Sequence, residues 1–126
     1  MKLPRSTLSA LFIAATAGAA FAVDDPNVKL ASTSGCFTCH HIERGAKGPD
    51  GLAPIGPAWR DVALKYAGVK GAADTLTRTV MTGSNPYASH WKGKVSGLAM
   101  PPNEVAIKEA DARKLVNWIL ALENRK

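Results

Sequence analysis

Apolar residues along this chain fall into a nearly continuous N-terminal run and then into short amphipathic stretches, each separated from the next by glycine and proline. Residues 8–21 are almost continuously apolar and rich in alanine. Beyond them, Asp24-Asp25-Pro26 has the form of a helix start, acidic residues followed by a proline at the first helical position. Val28, Leu30 and Ala31 give that segment a short apolar face leading to Gly35. In residues 59–66 the apolar positions are Trp59, Val62, Ala63 and Tyr66, which share one side of a helix, and Gly68 ends the pattern. Residues 72–81 repeat the spacing through Ala73, Leu76 and Val80, with weaker threonines, until Gly83. Residues 108–124 carry the clearest stripe, Leu115, Trp118, Ile119 and Leu122. No segment alternates with the two-residue period of a half-buried strand. The pattern predicts an all-α protein of four to five helices, with loops over residues 45–56 and 83–103 that are long for its size.

The first apolar run belongs to targeting rather than to the fold. A basic start, Met1-Lys2-Leu3-Pro4-Arg5, precedes it, and Ala20-Phe21-Ala22 closes it with the small-x-small form of a signal-peptidase site. The expected division is a signal peptide over residues 1–22, cleaved after Ala22, and one domain over residues 23–126. A retained membrane anchor fits less well, because the run is short for a span of about 20 residues. Export to the periplasm follows, and no stable insertion of the mature chain is expected.

About one hundred residues then remain, enough for one domain but small for a core made only of side chains. The formal net charge of the whole chain is +6. Lys92, Lys94 and Lys108 read first as solvated surface and second as charges able to steer an acidic partner. No dense basic cluster is interleaved with aromatics, so nucleic-acid binding has no support. No pair of carboxylates stands out for acid–base chemistry; Asp50 and Asp61 read as loop and helix-surface acids.

The chemistry is concentrated in Cys36-Phe37-Thr38-Cys39-His40. Cys-x-x-Cys-His is the pattern of covalent haem attachment. Two thiols about one helical turn apart each add to a vinyl group of one porphyrin, and His40 is left beside them to ligate the iron. Cys36 and Cys39 are the only cysteines, so this use leaves no thiol over. A redox disulfide would want a βαβ setting. A zinc site would want four protein ligands, to be completed from His40, His41 and His90, which lack finger spacing. A structural disulfide would close a loop too small to constrain much.

A six-coordinate iron needs a second axial group, and the candidates are Met81, Met100, His41 and His90. Met100 stands in Ala99-Met100-Pro101-Pro102-Asn103, where two prolines limit the freedom of the loop. Met81 lies on an apolar helix face, where methionine fills cores. His41 would follow His40 on the same helix, turned about 100° from it. His90 shares the long loop with Met100 and is its competitor. Met100 is the preferred ligand, and a His/Met pair raises the redox potential.

With these residues in place the chain resembles the class I monohaem cytochromes c, above all the small bacterial c-551/c-552 type. The resemblance covers residues 25–122 and rests on Gly35-Cys36-Phe37-Thr38-Cys39-His40, Ile55-Gly56-Pro57-Ala58-Trp59-Arg60-Asp61-Val62-Ala63, Lys65-Tyr66-Ala67-Gly68, Met100-Pro101-Pro102-Asn103 and Leu115-Val116-Asn117-Trp118-Ile119-Leu120. It implies the small cytochrome c fold wrapped around one haem c bound through Cys36 and Cys39. It implies that the Pro57 carbonyl accepts a hydrogen bond from the His40 ring, fixing its tautomer, with Gly48-Pro49 a decoy. It implies that Trp91 donates its indole N–H to a haem propionate, against the simpler reading of an aromatic packed on the haem edge. It also implies terminal helices crossing near Gly35, close enough for Trp118 or Leu115 to approach. The chain departs from the family in longer loops over residues 43–55 and 84–99, in a wider spacing from Trp91 to Met100, and in Lys108 where serine is usual as a helix cap.

The implied function is single-electron transfer between redox partner proteins by a monomeric, non-enzymatic carrier. The alternatives are a haem-bearing subunit of a larger periplasmic enzyme, and a peroxidase-like haem enzyme if the sixth position is open. A haem-free disulfide or metal module is a further rival, and it predicts a colourless protein.

Overall fold

A computed structural model describes residues 24–124. The expected signal peptide and its cleavage point after Ala22 lie outside the described residues. The helices are α1 (Pro26–Thr33), α2 (Trp59–Lys65), α3 (Ala72–Thr82) and α4 (Glu109–Leu120), joined by 3-10 turns at Cys36–Thr38, Pro49–Gly51 and Leu122–Asn124. Among the described residues the extended backbone forms no strand, only an isolated bridge between Lys92 and Val95. No described helix is long and apolar enough to cross a membrane.

α4 is the element against which α1, α2 and α3 all pack. The predicted stripe is the reason: Leu115, Trp118, Ile119 and Leu122 are all buried, joined by Ala112 and Val116. Trp118 meets the edge of Trp59 at 5.9 Å, with the rings at 89°, an arrangement that places a positive ring edge on a negative face. Lys108 occupies the cap position of α4 and makes no side-chain capping bond, while Glu109 and Asp111 stand in the first turn, where carboxylates favour the helix dipole.

Asp25 caps α1. One carboxylate oxygen accepts from the Asn27 backbone N–H at 2.8 Å, and the other accepts from the Trp118 indole at 3.2 Å. The cap thereby ties the first helix to the last. Partial burial pushes this carboxyl up, but the hydrogen bonds from Asn27 and Trp118 outweigh it and hold it below its ordinary value.

One expectation needs correction, and one helix face has a use the pattern does not show. Gly35 makes no close approach for α4: a Cβ there would meet no atom within 4 Å. Its φ of +73° is the reason for glycine, because the chain leaves α1 through the left-handed region. In α1 the fully buried residue is Ala31, which belongs to the same core cluster as Ala112, Leu115 and Trp118 of α4. In α3 the buried positions are Ala72 and Thr77, whereas the predicted Leu76 and Val80 are half-buried and line a cavity.

Candidate cofactor site

A cavity of about 380 Å³ opens between α2, α3, α4 and the two long loops, within the roughly 300–1,000 Å³ range of small-molecule sites. Its aliphatic wall includes Val62, Leu76, Val80, Ile107, Leu115 and Ile119. Cys36, Cys39, His40 and Met100 all face into it, as do Pro57, Trp91 and His90.

The Cys36-to-His40 segment is not one continuous α-helix. After Gly35 a 3-10 turn carries Cys36–Thr38, and Cys39 leaves it with φ −117° and ψ −27°. The Cys36 carbonyl accepts from both Cys39 N–H at 3.3 Å and His40 N–H at 3.1 Å, so the turn folds both thiols and the imidazole toward the same cavity. Both thiols are free and half-buried. Burial, assisted by the neighbouring Cys39, pushes the Cys36 thiol above its ordinary value.

His40 is held on three sides. Its Nδ1 lies 2.8 Å from the Pro57 carbonyl. A carbonyl only accepts, so Nδ1 carries the hydrogen and the lone pair is left on Nε2. Gly56 closes a second side: a Cβ there would lie 2.7 Å from His40 Cε1 and 2.8 Å from Nδ1, so only glycine fits beneath the ring. Trp59 stacks on the third, with centroids 5.9 Å apart and the planes at 26°. Burial lowers the imidazole pKa, the Pro57 carbonyl opposes that, and His41 adds to it. A neutral ring with a free Nε2 is what a metal ligand requires. The other Gly-Pro pair is engaged elsewhere, since the Pro49 carbonyl accepts from Leu52 N–H at 3.1 Å.

The same segment seats α2. Ala58 at its cap position offers no side-chain acceptor. Instead the His41 carbonyl accepts from Trp59 N–H at 2.8 Å and the Ile42 carbonyl from Arg60 N–H at 3.1 Å, satisfying donors a helix start leaves open. Arg44 adds ion pairs to Asp61 at 2.5 Å and Glu123 at 2.7 Å. Asp61, read as a plain surface acid, is therefore part of a bridge from this segment to α2 and the C-terminal turn.

Met100 sits in a loop bonded to the end of α3. Ser84 binds it twice: its N–H donates to the Met100 carbonyl at 2.9 Å, and its hydroxyl accepts from the Met100 N–H at 2.8 Å. Asn103 sends its backbone N–H to the Val80 carbonyl at 3.1 Å and its side-chain amide to Val80 at 3.2 Å and Pro101 at 2.7 Å. Gly83, at φ +83°, lies so close that a Cβ would stand 2.9 Å from the Met100 carbonyl. Ser84 carried no signal in the sequence, because its partner is sixteen residues away. Asn103 stood in the family pattern without a stated task.

The other candidates are placed differently. Met81 is half-buried and packs on the core cluster. His41 lines a second, smaller cavity; it is outside any helix, so the helical angle is not what turns it away. His90 is exposed and remains on the rim of the main cavity. Trp91 is half-buried beside it, with His90 edge-on at 4.7 Å. The long loops are joined to each other: Ser96 and Gly97 N–H groups donate to the Pro54 and Ile55 carbonyls at 2.9 and 3.0 Å. Among the described residues no three of His, Cys, Asp and Glu converge as a metal site, so the zinc reading has no donor set.

The residues fit a porphyrin. An apolar cavity receives two free thiols, and a neutral imidazole oriented by a backbone carbonyl stands beside them. The half-exposure of Leu76 and Val80 is the surface such a group would cover.

Comparison with known proteins agrees. Residues 27–123 match the sequence profile of the cytochrome c family. Cytochrome c-551 of Allochromatium vinosum is 42% identical over 93 residues, 74% of this chain and 82% of that protein. Cytochrome c-552 of Hydrogenobacter thermophilus is 35% identical over 97 residues, 77% of this chain and 82% of its own. The crystal structure of wild-type Nitrosomonas europaea cytochrome c552 superposes with a TM-score of 0.58 at 35% identity, over 75% of this chain and 98% of that one. The chain belongs to the cytochrome c family, as a monohaem class I electron-transfer protein with covalently attached haem c as its cofactor.

Proposed function

We propose that this protein is an exported, freely diffusing carrier of single electrons, in which His40 Nε2 and Met100 Sδ would be the protein's ligands to the haem iron. The observation that carries the reading is the convergence of Cys36, Cys39, His40 and Met100 on one cavity. Haem c supplies the one-electron iron couple; the chain attaches, orients and insulates it. Cys36 and Cys39 form the two thioether links. The Pro57 carbonyl, by holding the Nδ1 hydrogen, makes Nε2 a better donor. The Ser84 and Asn103 bonds hold the Met100 loop in place in both oxidation states, so little has to move when an electron arrives. Trp91 is assigned to a haem propionate through its indole N–H.

Donor and acceptor are redox proteins that dock at the open rim of the cavity. Leu98 on that rim and Tyr87 in the same loop expose most of their surface, at 85% and 88%, and give an apolar contact. Lys92 and Lys94 beside them favour an acidic partner. The mature chain, after removal of residues 1–22, acts in the periplasm as a monomer and catalyses no reaction of its own.

The test is an optical spectrum of the protein exported from a host with haem-attachment machinery, in both oxidation states and as the denatured pyridine adduct. A c-type adduct with the weak ferric charge-transfer band of sulfur ligation is expected. A c-type adduct with high-spin features and no such band would sink His/Met ligation and favour a haem enzyme. Co-purification in a stoichiometric complex would replace the free carrier with a subunit.

A further inference from the structure

The rim of the cavity carries a charge arrangement that attachment and ligation leave unused. His90 Nε2 lies 3.2 Å from Lys94 Nζ. An ammonium only donates, so Nε2 is the acceptor and the ring is unprotonated there. Lys94 Nζ also stands 5.8 Å from the centre of the Trp91 ring, and Trp91 fixes the imidazole edge-on at 4.7 Å. Lys65, the last residue of α2, is the other charge acting on His90. The other titratable groups nearby in sequence or on the same cavity are Tyr66, which follows Lys65 and lines the cavity, and Lys92 two residues on. Among the described residues no carboxylate faces His90, and the ion pairs all belong to Arg44, Arg60 and Arg113.

We propose that His90 is a redox-linked proton site: it binds a proton from solvent at Nε2 when an electron enters the cavity and releases it when the electron leaves. This rests on the one-electron reading above. The electron comes from a reduced partner protein and passes to an oxidised one; the proton comes from and returns to water, and no other bond changes. Electron entry makes the cavity more negative by one charge, which favours every cation on its rim. An ammonium group such as that of Lys65 or Lys94 has no lone pair with which to bind a further proton. His90 is the rim group whose charge changes near neutral pH. The Lys94 ammonium donating to Nε2 favours the neutral ring, and partial loss of hydration, then Lys65 and Lys94, push the imidazole pKa below its ordinary value. On protonation the Lys94 ammonium, exposed and on a flexible stem, swings to solvent and vacates Nε2.

The sign follows. The reduced state binds the proton more tightly, so the midpoint potential falls as pH rises through the His90 titration and is flat on either side. Lys94→Gln removes a neighbouring cation and moves that window to higher pH. His90→Gln abolishes the slope in that window.

The decisive experiment is an NMR titration of the His90 ring in the ferrous and ferric holoprotein, assigned by its loss in His90→Gln, together with midpoint potentials against pH for the three proteins. A higher His90 midpoint in the ferrous state, with the slope lost in His90→Gln, is the expected result. Equal midpoints in the two states overturn the proposal. A slope unchanged in His90→Gln overturns it too and passes the proton to another group, such as a haem propionate. Failure of the carrier reading looks different: no c-type adduct, or no reversible one-electron couple at any pH.

Discussion

The two sides of the cavity are built by different means. On the His40 side, ligand and covalent anchors lie within five consecutive residues, and the ring is boxed by Pro57, Gly56 and Trp59, which follow within twenty. On the Met100 side, the local help is two prolines and one bond from Asn103 to the Pro101 carbonyl, and the rest comes from a distant element. The loop is bonded to Ser84 and Val80 at the end of α3, and Gly83 permits the contact. The difference matches the strength of the ligands. Imidazole on a covalently tethered porphyrin stays on with modest help. A thioether is a weak ligand, and under the proposed His/Met ligation the bonds from Ser84 and Asn103 would restrict its loop and so lower the ordering cost of ligation.

Breaking the weaker side outright should have the largest effect. Met100→Ala is expected to lose the ferric charge-transfer band and to lower the potential by on the order of 0.1 V, within the roughly 0.8 V range that axial ligands control. The pyridine adduct should be unchanged, because the thioethers do not involve this loop. A potential equal to wild type would show that Met100 is not a ligand.

The stronger side should break sterically. Gly56→Ala places a methyl against the His40 ring, and overpacking of this kind costs about 1–3 kcal/mol. Denaturant unfolding of the holoprotein should show that loss together with a perturbed ferric spectrum. Unchanged stability would mean that the Ile55–Pro57 segment yields easily and does not box the ring.

Ser84→Ala is a gentler test of the distal loop. It removes a hydroxyl that accepts from Met100 N–H, for a loss of about 1 kcal/mol. The charge-transfer band should bleach on warming well before global unfolding by far-UV circular dichroism. Coincident transitions would place the hold on Met100 elsewhere.

Asp25 sharpens the proximal side from the far end of α1. Its folded-state pKa is lowered, so its charge contributes stability that is present above the unfolded value of about 3.9 and is lost as pH falls through the folded value. Asp25→Asn keeps the cap and the acceptor for Trp118 but removes the charge. The stability difference between wild type and Asp25→Asn should be greatest near neutral pH and vanish on acidification below about pH 4; a difference independent of pH would exclude the charge as its source.

The smallest effect concerns α3, on which the distal loop is anchored. The Thr77 hydroxyl is buried without a hydrogen-bond partner among the described residues. Thr77→Val replaces it with a methyl of like shape and should raise stability by up to about 1 kcal/mol without moving the potential. A loss would reveal a buried water or other partner for that hydroxyl.

How far the fold could be read from the chain follows the same division. The stripe Leu115, Trp118, Ile119 and Leu122 was legible because a helix on a core must repeat at 3.6 residues. Asp25-Pro26 was legible as a helix start because capping is local chemistry. Leu76 and Val80 were identified as an apolar face, but not that they line a cofactor cavity rather than a side-chain core. Gly35 was assigned to close packing when its backbone angle was the cause, and sequence alone does not separate these two uses of glycine. The 3-10 turn at Cys36–Thr38 was read as part of a helix, since both put the thiols a turn apart.

By itself the sequence determined the cofactor class, the helical architecture and the position of each helix. These depend on residues close together in the chain: a five-residue attachment string, a repeat of 3.6, a cap. Only the tertiary structure decided which atom of His40 carries the hydrogen, why Gly56 has no side chain, that Ser84 holds Met100, and that His90, Lys94 and Lys65 share one rim. Each of these is a contact between segments distant in sequence, set by how the helices pack on α4 and invisible to any local pattern.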